Sequence, residues 1–399
     1  MKLFHFRDVC TFSVVFLIFF LILEVNTSQL HEKQQEIQEE AIAINVEVPV
    51  RVFKGSKFVD NLTIDDFRVY EDGILQKIVA LYFIKKTIIE RKEIEEKEEE
   101  PRKEFAPETV RQFVLLFELI DYMPKLEEAL DYFIHNVFAP GDSLMVVTPL
   151  KFYNFKHDAW RNLTKERIIE QLKTILRKDI TMGQREYKNL VWDIIDLLQE
   201  PQNSVDQFRM ERVKILLERL VNLRDVGQKR LLEFADFLKK QEGQKHVFLF
   251  YQKEILPIPE GAAEELLTDL IMLGSFDTNK VKQAYADSLI TIHFLYLTKT
   301  KRHMLDGKTM SPLRIKMVAK HRDDIFSTFK DLAQTTGGFI ESSANIASSF
   351  QKAAEASENY YLLYYAPKNY KADGKFKKIK VEIKNKNYRV LHRVGYFAD

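Results

Sequence analysis

Phe113-Val114-Leu115-Leu116-Phe117 (FVLLF) decides the fold class, because three more short apolar runs of the same kind follow it. They are Leu144–Val147 (LMVV), Val247–Tyr251 (VFLFY) and Ile290–Leu297 (ITIHFLYL). Runs this short, and apolar throughout, are strands buried on both faces, which belong to parallel sheets covered by helices. The segments between them have helical spacing. Pro124 to Phe138 places Leu126, Leu130, Phe133, Ile134 and Val137 on one face, with Pro124 suited to the first turn. Ala139-Pro140-Gly141-Asp142 then breaks the chain ahead of the next strand. Further helices are expected over 164–178, 187–199, 206–241, 261–286 and 323–334. Alternating strands and helices predict an α/β domain over 110–356, doubly wound around a mainly parallel sheet.

On either side of this region the period changes to two. In Ile44 to Phe53 (INVEVPVRVF), Val46, Val48, Val50 and Val52 point one way and Glu47, Pro49 and Arg51 the other. Pro49 has no N–H to give a ladder, which predicts a sheet edge or a broken pairing there. Turns at Lys54-Gly55-Ser56 and Glu71-Asp72-Gly73 separate this strand from Phe67–Tyr70 and Gln76–Ile84. After Glu358 the alternation returns in Tyr360–Tyr365 (YYLLYY). It continues in Phe376–Lys384, where Ile379, Val381 and Ile383 oppose Lys380, Glu382 and Lys384, and in Tyr388–Phe397. Neither 44–84 nor 357–399 is long enough to hold a core alone. The expectation is that both pair into one small β-sandwich, into which the α/β domain is inserted. Lys85 to Glu108, rich in Glu with Lys and Arg between and closed by Pro101 and Pro107, is expected as a solvated charged linker over 85–109.

At the amino end, Lys2 and Arg7 precede an uncharged apolar run, Val9 to Leu23, and Glu24 ends it. This order is that of a secretory signal, and the run is shorter than the ~20 residues a spanning helix takes. Residues 1–28 are therefore expected to be a signal peptide or an N-terminal membrane anchor, the tether running through 9–23. The protein is then exported: periplasmic, secreted or held at the cytoplasmic membrane. Residues 29–43 are expected as a polar stalk.

Composition removes several function classes. The only cysteine, Cys10, lies in the leader, so the remaining chain has no disulfide, thiolate metal site or cysteine nucleophile. Sixty basic and 59 acidic residues give a net charge of +1, without the basic excess of a nucleic-acid binder. Gly337-Gly338 follows Thr335-Thr336 but lacks the spacing and lysine of a phosphate loop, and no G-x-S-x-G or H-E-x-x-H motif occurs. His293 lies inside an apolar strand and reads as a core histidine, whereas His303 and His321 sit among Lys and Arg. Phe208, Val213, Leu216, Leu217 and Leu220 are expected to pack on the protein's own sheet.

Two long stretches carry a resemblance. VPVRVFKGSKFVDNLTIDDFRVYEDGILQKI (48–78) and LAQTTGGFIESSANIASSFQKAAEASENYYLLYYAPKNYKADGKFKKIKVEIKNKNYRVLHRVGYFA (332–398) resemble the opening and closing of von Willebrand factor type A-related exported proteins common in acidobacteria. APGD at 139–142 and GQKHVFLFY at 243–251 fall in order between them. The resemblance implies a doubly wound α/β fold that binds a divalent cation at the carboxyl edge of its sheet. In that family the ligands are a D-x-S-x-S run after the first strand, a Thr from a second loop and an Asp after a later strand. These oxygens suit magnesium, a hard octahedral ion. Here Glu118, Ile120 and Tyr122 stand at the first three positions, Asn189 at the Thr and Gln252 at the Asp. Starting the run at Asp121 instead puts Met123 and Lys125 at the serines. The resemblance thus implies a degenerate site, with no metal and no cofactor; its edge either is surface and loop packing or still recognises a partner through Tyr122, Asn189, Tyr251, Gln252 and Glu254. The expected function is a non-enzymatic protein-binding, adhesion-type or scaffold module with an unidentified protein partner in the cell envelope and no nucleic acid. Two other readings stand beside it: an envelope hydrolase with an unrecognised acidic site, and an inert structural subunit of an envelope assembly.

Overall fold

The computed structural model describes residues 45–94, 107–119, 121–155, 162–199, 206–223, 228–252, 255–259, 277–297, 315–319, 323–368 and 370–398. The expected leader (1–28) and stalk (29–43), residues 95–106 of the expected linker, Ile120, Glu254, His303 and His321 lie outside the described residues.

From Val46 the chain lays down β1 (Val46–Lys54), β2 (Lys57–Phe58), β3 (Phe67–Glu71), β4 (Ile74–Gln76), β5 (Ile78–Lys85) and β6 (Ile88–Ile94). The α/β region follows: β7 (Arg111–Glu118), α1 (Lys125–Tyr132, extended by a π-helical turn over Phe133–Val137), β8 (Ser143–Val147) and β9 (Phe152–Phe155). Next come α2 (Lys165–Gln199), α3 (Asp206–Leu223), α4 (Gln228–Lys239), β10 (Gln244–Gln252), β11 (Ile255–Pro259), α5 (Thr278–Asp287) and β12 (Ile290–Leu297). After β13 (Ile315–Ala319), α6 (Asp323–Thr335), β14 (Ile340–Ser343) and α7 (Ile346–Glu358), the chain returns to strands. These are β15 (Asn359–Tyr365), β16 (Phe376–Ile383), β17 (Arg389–His392) and β18 (Gly395–Phe397).

The central sheet has the order β14-β12-β10-β7-β8-β9, parallel except for β9. Its first strand, β7, lies in the middle, and the chain winds outward to one side through β8 and then to the other through β10, β12 and β14. Both faces are covered, as the apolar runs require. Phe113, Leu115, Phe117, Phe248, Phe250 and Leu295 pack with α1, α2 and α7. Val114, Val247, Leu249, Ile292 and Phe294 pack on the other face with α4, α5 and α6.

Both ends of the chain build the remaining β structure. One antiparallel sheet runs β17-β1-β15-β5-β6, with β2 on β1, and a second runs β18-β16-β3-β4. Each mixes strands from before and after the α/β region. Their facing sides share one core that includes Val46, Val48, Val50, Val52, Phe67, Val69, Tyr361, Leu363, Ile379 and Val381. Alternation in β1 therefore has its expected consequence, and each of those buried valines contributes roughly 1.5–3 kcal/mol. The hairpin joining β3 to β4 turns at Asp72 and Gly73, both at positive φ, as a tight right-twisted hairpin demands.

Several expected boundaries are corrected. Residues 164–199 do not hold two helices but one, α2, of 35 residues. The stretch 206–241 is divided between α3 and α4, and Phe208, expected to pack on the sheet, is exposed whereas Val213, Leu217 and Leu220 are buried. Gln76–Ile84 splits at Lys77 into β4 and β5, which join different sheets, and Tyr388–Phe397 splits into β17 and β18. The expected linker begins too early, because β6 lies inside it and pairs with β5. Its residues alternate charge with Ile88, Ile89 and Ile94 still exposed, so the sequence lacks the buried stripe that announces a strand. Pro49 is paired on one side only, opposite Leu362, so the ladder is interrupted at the proline as expected. It is tolerated because β17 covers the other side of β1 only from Val50 onward.

Thr335-Thr336-Gly337-Gly338 is a packing element. Thr336 Oγ1 accepts from the Ile292 backbone N–H at 3.0 Å, and a Cβ on Gly338 would overlap the Ile292 carbonyl oxygen. Only glycine lets this turn lie against β12.

Candidate functional site

In an open doubly wound sheet, ligands bind beyond the carboxyl ends of the strands where the winding reverses. Here that point lies between β7 and β10. Their parallel register pairs Tyr251 with Glu118, so Gln252 and the loop after Glu118 emerge side by side.

Three polar side chains close this rim. The Gln252 side chain is buried, and its Oε1 accepts from the Asp121 backbone N–H at 3.1 Å. From α2, buried Gln184 donates Nε2–H to the Leu119 carbonyl at 2.6 Å. One turn on, Lys188 sets its ammonium 2.8 Å from Asp121 Oδ1. Thus strand β10 and helix α2 both fasten the loop that follows β7.

The rest of the rim is equally committed. The Tyr122 hydroxyl donates to Glu127 Oε1 at 2.6 Å, and Arg177 reaches the same oxygen at 2.7 Å while lying over the Tyr122 ring. Partial burial and the hydrogen bond to Glu127 push the Tyr122 phenol up to about 12, so it stays a neutral donor. The bonds from Tyr122 and Arg177 hold the Glu127 carboxyl below its ordinary range. Farther along, buried Asp179 accepts from the Tyr153 hydroxyl at 2.7 Å and lies 2.9 Å from Thr148 Oγ1. Hydrogen bonding to Asp179, with burial second, pushes the Tyr153 phenol up to about 12.

Glu118 is half-buried at the end of β7. Asn189 is exposed on α2, and the residues of that helix that reach the loop are its neighbours Gln184 and Lys188. Tyr251 turns to the opposite face of the sheet, where its ring meets Phe294, Tyr296 and Phe329. The structure therefore joins Tyr122 and Gln252 through the 119–122 loop.

Sequence reasoning missed Arg177, Asp179, Gln184 and Lys188, all supplied by α2. Part of the signal was available: once 165–199 is read as one helix, buried Asp179 and Gln184 interrupt its apolar face. Leu150, Phe152 and Met182 add exposed apolar surface beside them. Gly183 brings α2 close to that hairpin, since a Cβ there would lie 2.8 Å from Pro149 Cβ.

These residues do not fit an octahedral magnesium. The Gln252 amide oxygen is used on a backbone N–H, the Tyr122 hydroxyl is used on Glu127, and a fixed ammonium meets Asp121. Among the described residues no group of three His, Cys, Asp or Glu is arranged to hold a metal. Among them also, no helix is long and apolar enough to cross a membrane.

No known protein-family model matches the chain, and no curated protein sequence matches it. What stands is an α/β fold with a doubly wound, partly parallel sheet, antiparallel sheets drawn from both chain ends, and no intact metal cluster among the described residues.

Proposed function

We propose that this protein is an exported, non-enzymatic binding module whose von Willebrand factor type A-like rim works without a metal ion. The observation that carries the reading is the Lys188–Asp121 pair. A positive charge tethered to α2 stands against the loop carboxylate, and Gln252 holds that loop from the other side. The loop is thereby fixed in one geometry by the chain's own groups.

The reading assigns recognition to the exposed part of this edge. Asn189 and partly exposed Tyr122 and Lys188 offer polar contacts, and Leu150, Phe152 and Met182 offer apolar ones. Gln252 and Tyr251 act from beneath, one fixing the loop and the other filling the core. A binding role is favoured over a hydrolytic one because Asp121, Glu127 and Asp179 each already bond a cation or hydroxyl. The partner is a protein of the cell envelope.

Photocrosslinking of the full chain in its native cells tests this. A photoreactive residue at Phe152 or Asn189 should give a discrete adduct with an envelope protein, and one at Phe237 on α4 should not. No adduct at the rim, or equal adducts from Phe237, would refute the assignment.

A further inference from the structure

The opposite end of the central sheet holds a second polar assembly, unrelated to the rim. One face of β1, carrying Glu47, Pro49, Arg51 and Phe53, turns away from the sandwich core and toward the amino ends of β7, β10 and β12. Gln244 at the start of β10 donates to Glu47 at 2.7 Å, and Phe53 meets Phe339 edge to face at 5.3 Å. Behind this seam, aromatic rings stack across three strands. Arg111 lies over Phe113 at 4.9 Å, Phe113 stacks on His246 at 5.6 Å, His246 on His293 at 5.8 Å, and His293 on Phe248 at 4.7 Å.

The seam is rich in buried donors that meet no acceptor among the described residues. Arg51 is 1% exposed, yet its Nε and Nη2 have no hydrogen-bond partner there. Its guanidinium lies 5.6 Å from the Tyr360 ring centre, and the Tyr360 hydroxyl is also unpartnered. His293 Nδ1 accepts from the Phe339 N–H at 3.3 Å, which places its proton on Nε2, and that nitrogen too has no partner. Arg111 Nη1 adds a donor to the set, and neutral His246 adds one ring N–H together with one unpartnered acceptor nitrogen.

Charge distinguishes Arg51 from its neighbours. Arg111 has Asp142 at 2.6 Å, Lys86 has Glu358 at 3.3 Å, Arg393 lies beside Glu47, and Lys245 feels Glu108 and Glu47. Among the described residues, no carboxylate is paired with Arg51. Burying an unpaired ion is strongly unfavourable, and neutral acceptors such as water satisfy donors without cancelling charge.

We propose that this seam binds a small inorganic monoanion, with chloride as the natural occupant, held by the Arg51 Nε–H and Nη2–H and by neighbouring Tyr360 and His293 donors. One negative charge matches the single charge of Arg51, which meets no carboxylate among the described residues. A spherical ion accepts N–H and O–H donors from any direction, whereas a phosphate would bring surplus charge. The bound ion joins β1 and β15 of the sandwich to β12 of the parallel sheet.

Thermal unfolding of the full chain in sodium chloride and in sodium gluconate, at matched ionic strength and pH, tests this. Chloride should raise Tm by roughly 2–4 °C. An Arg51→Met variant keeps the length and removes the charge, and it should lose that difference. Crystals grown with bromide should show an anomalous peak beside the Arg51 guanidinium. Equal Tm in the two salts, a chloride effect retained in Arg51→Met, or bromide-loaded crystals without that peak would overturn the proposal. If Arg51→Met does not fold, the wild-type salt comparison and the bromide peak decide the matter.

Discussion

Lys188 Nζ lies 2.8 Å from Asp121 Oδ1, joining the middle of a 35-residue helix to the loop after the first strand of the parallel sheet. Both side chains are partly exposed, so the pair is worth little as stability. Its role lies in position, because it fixes a loop carboxylate at the crevice where such sheets bind ligands.

Replacing Lys188 with Met should therefore lower stability by no more than about 1 kcal/mol, while partner capture at the rim is lost. Urea unfolding and the Phe152 crosslink, measured on the same variant, separate these effects. A cost of several kcal/mol would mean that the pair is structural.

The Arg111–Asp142 pair should behave oppositely. Both side chains are fully buried, with Nε and Nη2 bonded to the two carboxylate oxygens at 3.0 and 2.6 Å. Asp142→Ala would leave the guanidinium unpaired and should cost about 3–5 kcal/mol. The double variant Arg111→Met with Asp142→Leu should recover part of that loss, as read by denaturant midpoints.

Gly183→Ala sets two effects against each other. Alanine gains about 1 kcal/mol of helix propensity in the interior of α2, but its Cβ would stand 2.8 Å from Pro149 Cβ. A proline ring cannot swing aside, so overpacking at about 1–3 kcal/mol should win. Net destabilisation on urea unfolding is expected, and a stabilised variant would show that α2 and the β8–β9 hairpin are loosely held.

Acid should weaken the fold through His246 and His293. Burial, and the positive charge of Arg51, hold both imidazoles well below their ordinary value. Below about pH 6.5 the unfolded chain takes up protons that the folded chain refuses, so stability falls with pH from there downward. These two groups give a slope of up to about 2.7 kcal/mol per pH unit, and His392, also lowered by burial, acts in the same direction. Glu47, Asp142 and Glu358, all raised mainly by burial, work in the other direction as they take up protons. The effect should thus be sharpest just below pH 6.5. His246→Phe should remove part of it, as urea midpoints across that range will show.

The parts of this architecture written locally were legible in the sequence. FVLLF, VFLFY and ITIHFLYL are apolar because both sheet faces are covered, and Val46 to Val52 alternate because one face meets the sandwich core. What was illegible depends on distant partners. β6 has no apolar stripe and exists because β5 offers it a hydrogen-bonding edge. Gly183 resembles a helix break, yet it is a contact point for Pro149. At the rim, Glu118, Tyr122 and Gln252 were readable as departures from a metal-binding pattern. Lys188 was not, because nothing local shows that its ammonium faces Asp121. The seam around Arg51 was hidden for the same reason: an arginine alternating with valines looks solvent-facing until a second sheet covers it.

Manganese titration by calorimetry tests the metal-free rim most directly. The account predicts no stoichiometric binding in the micromolar range for the full chain, and none gained by Asp121→Asn. Tight one-to-one uptake that Asp121→Asn abolishes would show that a divalent cation displaces Lys188, contradicting the assignment.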